Sequence, residues 1–145
     1  MFEKILFPTD FSDVANKALQ YVKQLRHAGT RHVTVLHVVD QANLEMISSF
    51  STVGDYVNLE HEILRRAADE LGLVANELRQ LGYEVAERVE KGSPVRVVLR
   101  VADEENPSLI VVGSHGKGNL EEMLMGSVSE KVVRKAKHPV LVIKR

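Results

Sequence analysis

The sequence predicts an α/β protein built on a doubly wound, five-stranded parallel sheet. Short apolar runs alternate with longer segments in which apolar residues recur every three or four positions, in the order βαβαβαβαβ. Strands that a helix separates pair in parallel, and the helices then cover both faces of the sheet. The length of 145 residues, without a linker, repeat or low-complexity segment, predicts a single domain over residues 1–145.

The first half of the chain supplies two strands and a helix. Residues 5–7, Ile-Leu-Phe, predict a buried strand, and the β-branched residues 33–39 predict a second one. Between them, apolar side chains at steps of three and four predict a helix that Ser12 caps and Gly29 ends. Residues 41–54 have no clear period, so we predict a loop there with at most a helical turn.

The middle of the chain predicts a long helix and an edge strand. Residues 55–81 carry apolar side chains at steps of three and four, which predicts an amphipathic helix that Gly82 ends. Residues 85–89 alternate loosely with glutamates, as an exposed or edge strand does. A turn and Ser93 then precede Pro94, a residue that favours the first position of a helix.

The last part of the chain predicts two apolar strands with a helix between them. Residues 109–112 and residues 140–143 are entirely apolar. The pattern Ser127-x-x-Glu130 has the form of a capping box, in which the two side chains satisfy the first N–H groups of a helix. We therefore predict a helix from Ser127 to about Lys137.

The composition excludes several classes of function. Lys and Arg number 19 against 20 Asp and Glu, which argues against binding nucleic acid or an anionic membrane through a broad basic surface. The chain has no cysteine, which excludes disulfides, cysteine-based zinc sites and thiol catalysis. No run approaches the roughly 20 apolar residues of a membrane helix, and the run before Pro8 is too short for a signal peptide. We therefore predict a soluble, cytoplasmic protein.

Two unusual segments follow predicted strands. Pro8, Thr9 and Asp10 come directly after the first strand, and a glycine-rich loop follows the fourth strand. Ligands of doubly wound sheets bind beyond the carboxyl ends of the strands, where the strand order reverses. If the first and fourth strands are neighbours at that point, both segments face one crevice.

The glycine-rich loop has the parts of a phosphate-binding cradle. Its glycines let backbone N–H groups approach an anion, and the helix after it adds unpaired N–H groups and the positive end of its dipole. Ser127 and Ser129 add hydroxyl donors, and Lys117 adds a movable charge. The alternative is a structural connection in which Ser127 only caps the helix. Neither a Walker A loop nor the glycine fingerprint of dinucleotide-binding folds is present.

The loop has a specific spacing, Gly-x2-Gly-x9-Gly-Ser, which Gly113, Gly116, Gly126 and Ser127 form. The chain also opens with Ile-Leu-Phe-Pro-Thr-Asp-Phe-Ser, ends its second strand with Leu-His-Val-Val-Asp and closes with His-Pro-Val-Leu-Val-Ile. With these four landmarks in order, the whole chain resembles the universal stress protein family, in particular its ATP-binding branch. The resemblance implies a protein that binds ATP, with Mg²⁺ or Mn²⁺, and acts as a nucleotide-dependent switch in a stress response or in signalling. It does not identify the protein partner of such a switch.

The resemblance also implies which residues bind the nucleotide. The resemblance places Asp10 at the phosphate or ribose end, through a hydrogen bond or a Mg²⁺ or Mn²⁺ ion. This agrees with the need of a carboxylate beside a polyphosphate for a cation or a hydroxyl between them. The alternative for Asp10 is a local turn at the start of the helix, in competition with Ser12. Pro8, Thr9 and Val38 would border the adenine. The residues that would line the triphosphate and ribose are Gly113, Ser114, His115, Gly116, Lys117, Gly118, Asn119, Gly126, Ser127, Val128 and Ser129.

Catalysis has little support in the sequence. None of the six histidines has a partner at metal-ligand spacing. For His115, inside the loop, a solvent-facing position is the simplest interpretation, and contact with the phosphates is the alternative. A second hypothesis is a slow Mg²⁺-dependent ATPase in which Asp10 holds the metal and Lys117 the γ-phosphate, but the sequence has no evident general base. A third hypothesis is an interaction module that binds no nucleotide.

The last strand predicts an assembly. Residues Val140–Ile143 are apolar on both faces, although the predicted fold would leave this strand at an edge of the sheet. An exposed apolar edge favours pairing with another chain. We therefore predict a homodimer in which this strand pairs with its symmetry mate, as the resemblance also implies. The alternative is that a helix of the same chain covers the strand.

Overall fold

Five parallel strands form one sheet in the computed structural model, which describes residues 1–50, 52–115 and 125–145. The strands are β1 (Lys4–Pro8), β2 (His32–Asp40), β3 (Glu84–Gly92), β4 (Leu109–Gly113) and β5 (Val140–Ile143). They pair in the order β3-β2-β1-β4-β5, and each pair is parallel. The predicted doubly wound α/β fold is confirmed.

Within the described ranges the α-helices are α1 (Asp13–Gln24), α2 (Gln41–Ser48), α3 (Val53–Gln80), α4 (Pro94–Glu105) and α5 (Ser127–Lys135). A short 3-10 turn continues α1 to Gly29, whose φ of +99° lies in the left-handed region that glycine adopts most easily. Ser12 caps α1 by accepting a hydrogen bond from the N–H of Ala15. Pro94 begins α4, as its position in the sequence predicts.

The helices cover both faces of the sheet. Neighbouring residues of a strand point to opposite faces, so β2 directs Val35 to one apolar cluster and Leu36 to the other. Leu19 of α1 and Leu78 of α3 pack in the first cluster, whereas Val101 of α4 packs in the second. Each fully buried side chain of this size contributes about 2 kcal/mol through the area it removes from water. Both faces of the sheet therefore contribute to its stability.

The segment after β2 is more regular than the sequence predicts. The loop expected for residues 41–54 is wrong, because α2 follows β2 directly and α3 begins soon after it. Asp40 caps α2, and its Oδ1 accepts a hydrogen bond at 3.0 Å from a backbone N–H of the first turn. Leu44 is the one fully buried side chain of α2, whereas Met46 is 62% exposed. With a single buried position, this helix has no apolar period that the sequence can display.

The predicted capping box at the start of α5 is also wrong. Gly126 occupies the N-cap position, and Ser127 is the first helical residue and forms no side-chain cap. The carboxylate of Glu130 accepts a hydrogen bond from Arg134 one turn later instead of reaching back to the helix start. The helix ends at Lys135, earlier than predicted.

The two edge strands of the sheet differ in character. β3 is an edge strand, as predicted, and its charged side chains form ion pairs with other residues of the chain, such as Glu87 with Arg79. β5 forms the other edge, where Leu141 packs against one core cluster and Val140 and Val142 pack against the other. The side chains of β5 are thus partly covered within the chain. Pairing of its backbone with a second copy stays a prediction.

No helix of the described residues combines the length and the apolar character that crossing a membrane requires. The longest, α3, is amphipathic: Leu71 and Leu78 are fully buried, whereas Arg65 and Arg66 are exposed and pair with acids of their own helix. Its apolar stripe therefore serves to cover one face of the sheet.

Candidate functional site

The crevice lies at the carboxyl ends of β1 and β4, which are neighbours in the sheet. The chain continues from β1 toward β2 on one side and from β4 toward β5 on the other, so the two connections diverge. Such a divergence opens a crevice beyond the strand ends, where doubly wound sheets bind ligands. The segments after β1 and β4 face this crevice together, as the sequence predicts.

The first wall of the crevice, residues 8–12, is a tight turn between β1 and α1. The N–H of Thr9 donates to the carbonyl of Leu36 at 2.8 Å, which keeps the chain beside β2 for one more residue. The Oγ1 of Thr9 then accepts a hydrogen bond from the N–H of Phe11 at 3.1 Å. Phe11 has a φ of +62°, which is uncommon for a residue with a side chain and is held only where its surroundings require it.

Asp10 has a structural contact and a position in the crevice at once. Its Oδ1 accepts a hydrogen bond from the N–H of Ser12 at 3.0 Å, and Ser12 in turn caps α1. Asp10 also lines the cavity described below. A carboxylate has two oxygens, so one bond within the turn does not prevent Asp10 from lining the cavity as well. The two interpretations of Asp10 are therefore compatible.

The second wall of the crevice, residues 113–115 and 125–129, joins β4 to α5. The N–H of Ser114 donates to the carbonyl of Ile143 at 2.8 Å, and the carbonyl of Ser114 accepts a hydrogen bond from Gly126. These bonds attach one end of the connection to β5 and hold its two ends against each other.

Two further contacts in this wall give structural roles to Ser129 and Gly113, which the sequence predicted as site residues. The hydroxyl of Ser129 donates to the carbonyl of Gly113, so its proton points at the protein backbone and not at a ligand. A Cβ on Gly113 would lie 2.7 Å from Cγ1 of Val14, so the absence of a side chain allows β4 to approach α1. Gly113 is therefore required for close packing whatever the crevice binds.

The two walls enclose a cavity of about 320 Å³. Its lining consists of Pro8, Thr9, Asp10, Ala15, Leu36, Val38, Asp40, Asn43, Pro94, Val98, Val112, Gly113, His115, Gly126, Ser127, Val128 and Ser129. This volume lies at the lower end of the range for small-molecule sites, and the lining joins apolar side chains with a few polar groups, as such sites do.

Most of the predicted site residues that the structure describes line this cavity. Ser114 is the exception, because it is fully buried behind the second wall. Gly116, Lys117, Gly118 and Asn119 lie outside the described residues.

The solvent-facing position expected for His115 is wrong. The residue is only 8% exposed, and its Nδ1 forms a hydrogen bond of 2.8 Å with Oγ of Ser114. Because the Ser114 backbone is tied to β5 and to Gly126, this bond fixes the imidazole relative to the sheet. The ring therefore belongs to the wall of the crevice.

Several residues that line the cavity were not predicted from the sequence. Asp40 and Asn43 reach the cavity because α2 begins directly after β2, which the aperiodic sequence of α2 conceals. Pro94 and Val98 come from the start of α4, which packs on the same face of the sheet as Leu36. The turn before Pro94 marks the carboxyl end of a strand, and the carboxyl ends of parallel strands lie at the same edge of a sheet. The sequence therefore contained a signal for Pro94 and Val98.

The charge of the described lining is negative. Asp10 and Asp40 contribute carboxylates, and no Lys or Arg of the described residues lines the cavity. The N-terminus of α5 offsets this, because the first N–H groups of a helix have no partner within it and carry the positive end of its dipole. Ser127 and Val128, at the first turn of α5, line the cavity. The crevice thus pairs an acidic wall with an anion-attracting one.

This fold and its crevice define a class, the doubly wound α/β proteins that bind ligands at the switch point of the sheet. Comparison with known proteins specifies the family. The universal stress protein family matches residues 1–144, and the chain belongs to that family.

The similarity to individual members extends over the whole chain. The chain is 35% identical to universal stress protein MJ0577 of Methanocaldococcus jannaschii over 156 aligned positions, which cover 100% of this chain and 96% of that protein. A solved structure of hypothetical protein MJ0577 superimposes with a TM-score of 0.89 at 36% identity, covering 100% of this chain and 97% of that one. Universal stress protein YxiE of Bacillus subtilis is 32% identical and covers 99% of this chain, with 100% of its own length aligned.

Two structures with the same fold contain adenine nucleotides. A universal stress protein family protein from Arabidopsis thaliana with AMP bound has a TM-score of 0.70 at 19% identity, and covers 98% of this chain and 91% of its own. A universal stress protein in complex with cAMP has a TM-score of 0.64 at 23% identity, covering 99% of this chain and 97% of its own. At these identities the likeness to this chain concerns the fold.

Proposed function

We propose that this protein binds ATP in the crevice between the two walls and acts as a nucleotide-dependent switch in a stress response or in signalling. The observation that carries the proposal is the cavity of about 320 Å³, which joins an apolar strip to the N-terminus of α5. An adenine nucleotide needs both surfaces, a flat apolar one for the base and an anion-binding one for the phosphates. The AMP and cAMP complexes of proteins with this fold support the same class of ligand.

The base would lie on the apolar side of the cavity. Pro8 and Val38 border this side, and Pro94 and Val98, at the start of α4, line the same cavity. Thr9, which lines the same cavity, is only 7% exposed, so its backbone is held against β2 beside the proposed base. An aromatic base buried there removes apolar area from water on both of its faces.

The phosphates would lie against the second wall. The first turn of α5 supplies backbone N–H groups, and Gly126 at the N-cap has no side chain to obstruct them. Ser127 is an exposed residue of that turn, and its hydroxyl is a candidate donor. The residues from Gly116 to Asn119 complete the proposed cradle, on the resemblance to the family alone.

The proposal includes a divalent cation between Asp10 and the phosphates. Among the described residues no group of three or more His, Asp or Glu side chains is arranged to hold a metal ion. A single carboxylate suits Mg²⁺ or Mn²⁺ when phosphate oxygens and water complete the coordination. The carboxylate of Asp10 therefore fits a cation that arrives with the nucleotide.

Calorimetric titration of MgATP into protein stripped of co-purified nucleotide tests the proposal. Binding near one site per chain is the expected result, and AMP and cAMP are titrated in parallel. The chain has no tryptophan, so intrinsic fluorescence is a poor reporter. Gly126→Val places a branched side chain in the proposed phosphate path and should abolish binding. Gly54→Val is the matched control, because a Cβ at Gly54 meets no atom within 4 Å.

Asp10→Asn tests the cation separately. The amide oxygen of asparagine can still accept the hydrogen bond from the N–H of Ser12, but the charge is lost. With Mg²⁺ present we expect ATP affinity to fall about tenfold, as for the loss of one charge-assisted contact. With EDTA present the two proteins should bind ATP equally. Equal affinities in both conditions would mean that Asp10 does not bind the cation.

The ATPase hypothesis is decided in the same samples by measuring phosphate release from MgATP. A switch retains bound ATP over the time of the titration, whereas an ATPase releases phosphate at a rate that Asp10→Asn lowers. If no nucleotide binds to the folded protein at all, the interaction module without nucleotide becomes the function to pursue.

The homodimer through β5 is part of the proposal. The carbonyls of Pro139 and Ile143 accept hydrogen bonds from the β4 side of the sheet. Bonding groups alternate along a strand, so those of Val140 and Val142 face the open edge. Val142→Pro removes one outward N–H, and we expect it to convert a dimer into a monomer in analytical ultracentrifugation. A dimer that survives this change in a folded protein uses another surface.

A further inference from the structure

His37 connects the first wall of the crevice to the opposite face of the sheet. It lies in β2 one residue before Val38, which lines the cavity. Alternate residues of a strand point to opposite faces, so His37 shares the face of Val33 and Val35, under α1 and α3. Its side chain therefore approaches the turn of residues 8–12 from the side away from the cavity.

Two contacts join the His37 ring to that turn. Nδ1 lies 2.8 Å from the carbonyl oxygen of Thr9. A carbonyl oxygen only accepts, so Nδ1 carries the hydrogen and donates, in the neutral and in the protonated ring alike. The ring also stacks on Phe11, with 4.6 Å between centroids and 26° between planes. These two contacts hold Thr9 and Phe11, the residues on either side of Asp10, in place.

The turn needs support from outside itself. Phe11 has a φ of +62°, a backbone conformation that is unfavourable for a residue with a bulky side chain. The local bonds of the turn come from the side chains of Thr9 and Asp10, which act on the N–H groups of Phe11 and Ser12. A strained turn persists only when its surroundings over-determine it. Among the described contacts, those of His37 supply that constraint from β2, together with the bond from the N–H of Thr9 to the carbonyl of Leu36.

We propose that His37 is a positioning residue, which holds Thr9 and Phe11 so that the carboxylate of Asp10 faces the ligand in the crevice. This inference rests on the proposed function for its effect on ATP. The contacts of His37 with the turn do not depend on a ligand. His37 does not contact the nucleotide, and it acts through Asp10.

Amide hydrogen exchange of the nucleotide-free protein tests the hold on the turn. In His37→Leu the amides of Phe11 and Ser12 should exchange about tenfold faster, as the loss of a partly buried hydrogen bond produces. The amide of Ile110, in β4, should be unchanged. His37→Asn should restore protection, because its amide nitrogen occupies nearly the position of Nδ1. His37→Gln, whose nitrogen lies one bond farther out, provides the comparison if the leucine variant does not fold.

Titration with MgATP tests the action through Asp10. His37→Leu should weaken binding about tenfold in the wild-type background, and much less when combined with Asp10→Ala. His32→Leu is the matched control, since His32 lies at the other end of the same strand and pairs with Glu84. It should leave affinity unchanged.

The outcomes separate the two proposals. If the wild-type protein binds no ATP, the proposed function fails, and the exchange measurement alone decides whether His37 holds the turn. Unchanged exchange at Phe11 and Ser12 in the leucine or glutamine variant overturns the inference. So does a loss of affinity that is as large without the Asp10 side chain as with it.

Discussion

The two walls of the crevice are built by different means. In the first wall, residues 8–12, the side chains of Thr9, Asp10 and Ser12 bond to backbone N–H groups two or three positions along the chain. In the second wall, residues 113–115 and 125–129, the bonds join residues far apart in sequence, such as Ser129 with Gly113. The first wall has these local bonds and, from outside, its contacts with Leu36 and His37 of β2. The second wall keeps its shape only while β4, β5 and α5 are correctly packed.

This difference predicts which changes affect stability and which affect the ligand. A substitution in the second wall disturbs contacts between elements, so it should lower the free energy of unfolding most. A substitution in the first wall should cost less stability, because it removes one local bond. The four predictions that follow test this order, from the largest expected effect to the smallest.

Gly113→Ala should give the largest loss of stability. The new Cβ would lie 2.7 Å from Cγ1 of Val14 and 3.3 Å from its backbone carbon, and backbone cannot move aside cheaply. We expect the free energy of unfolding in urea to fall by about 2–3 kcal/mol, as for other overpacked sites. Gly54→Ala is the control, since it meets nothing within 4 Å and lies in α3, where alanine is the better helix former. A neutral Gly113→Ala would show that α1 and β4 can separate without cost.

Ser129→Ala should have the second largest effect. The change removes the hydroxyl that donates to the carbonyl of Gly113 and leaves that oxygen without this donor in a partly buried position. We expect a loss of about 1.5 kcal/mol in urea unfolding. Ser127→Ala is the matched control, because Ser127 lies in the same turn without a side-chain cap bond and should change stability by less than about 0.5 kcal/mol. Equal losses in the two variants would contradict the assignment of the Ser129 bond.

The same contrast explains how much the sequence reveals. The cap by Ser12 and the position of Pro94 at the start of a helix could be predicted from the sequence, because they depend on residues a few positions apart. The strands and their parallel pairing follow from the βα alternation, whereas the adjacency of β1 and β4 entered the prediction only as a condition. The burial of His115 could not be predicted, because it depends on hydrogen bonds between Ser114 and two residues distant in sequence, Ile143 and Gly126.

The lining of the site divides in the same way. The segment after β1 and the turn before α5 reach the cavity as the strand ends predict. Asp40 and Asn43 were missed because α2 buries Leu44 alone and so displays no helical period. Ser127 was assigned as a cap because its spacing to Glu130 matches a capping box, whereas Glu130 pairs with the residue one turn ahead. A short motif does not determine which of its possible partners a side chain selects.

Ser12→Ala should have a moderate effect within the first wall. Oγ of Ser12 accepts the hydrogen bond from the N–H of Ala15 at 3.2 Å, and its loss should lower the free energy of unfolding by about 1 kcal/mol. Ser93→Ala is the matched control: Ser93 occupies the N-cap of α4 but forms no side-chain cap bond, so its change should be nearly neutral. Thermal unfolding of both variants gives the comparison. A loss above that of Ser129→Ala would reverse the order proposed for the two walls.

The smallest effect concerns an ion pair that lies in neither wall. Glu60 of α3 accepts a hydrogen bond from Lys91, near the carboxyl end of β3, and this bond lowers the pKa of the Glu60 carboxyl below its ordinary value. A lowered pKa in the folded state stabilises the protein above the ordinary pKa of glutamate, and the contribution disappears as pH falls through the lowered pKa.

The free energy of unfolding of Glu60→Gln should therefore differ from that of the wild type most above about pH 5, and the difference should shrink as the pH falls through the lowered pKa of Glu60. Urea unfolding at several pH values measures it, and 1 M salt should reduce it because the pair is close to the surface. A difference that stays constant as the pH falls would mean that Glu60 acts by packing and not by charge. In that case the attachment of α3 to β3 resembles the second wall, in which uncharged contacts between distant residues hold the structure.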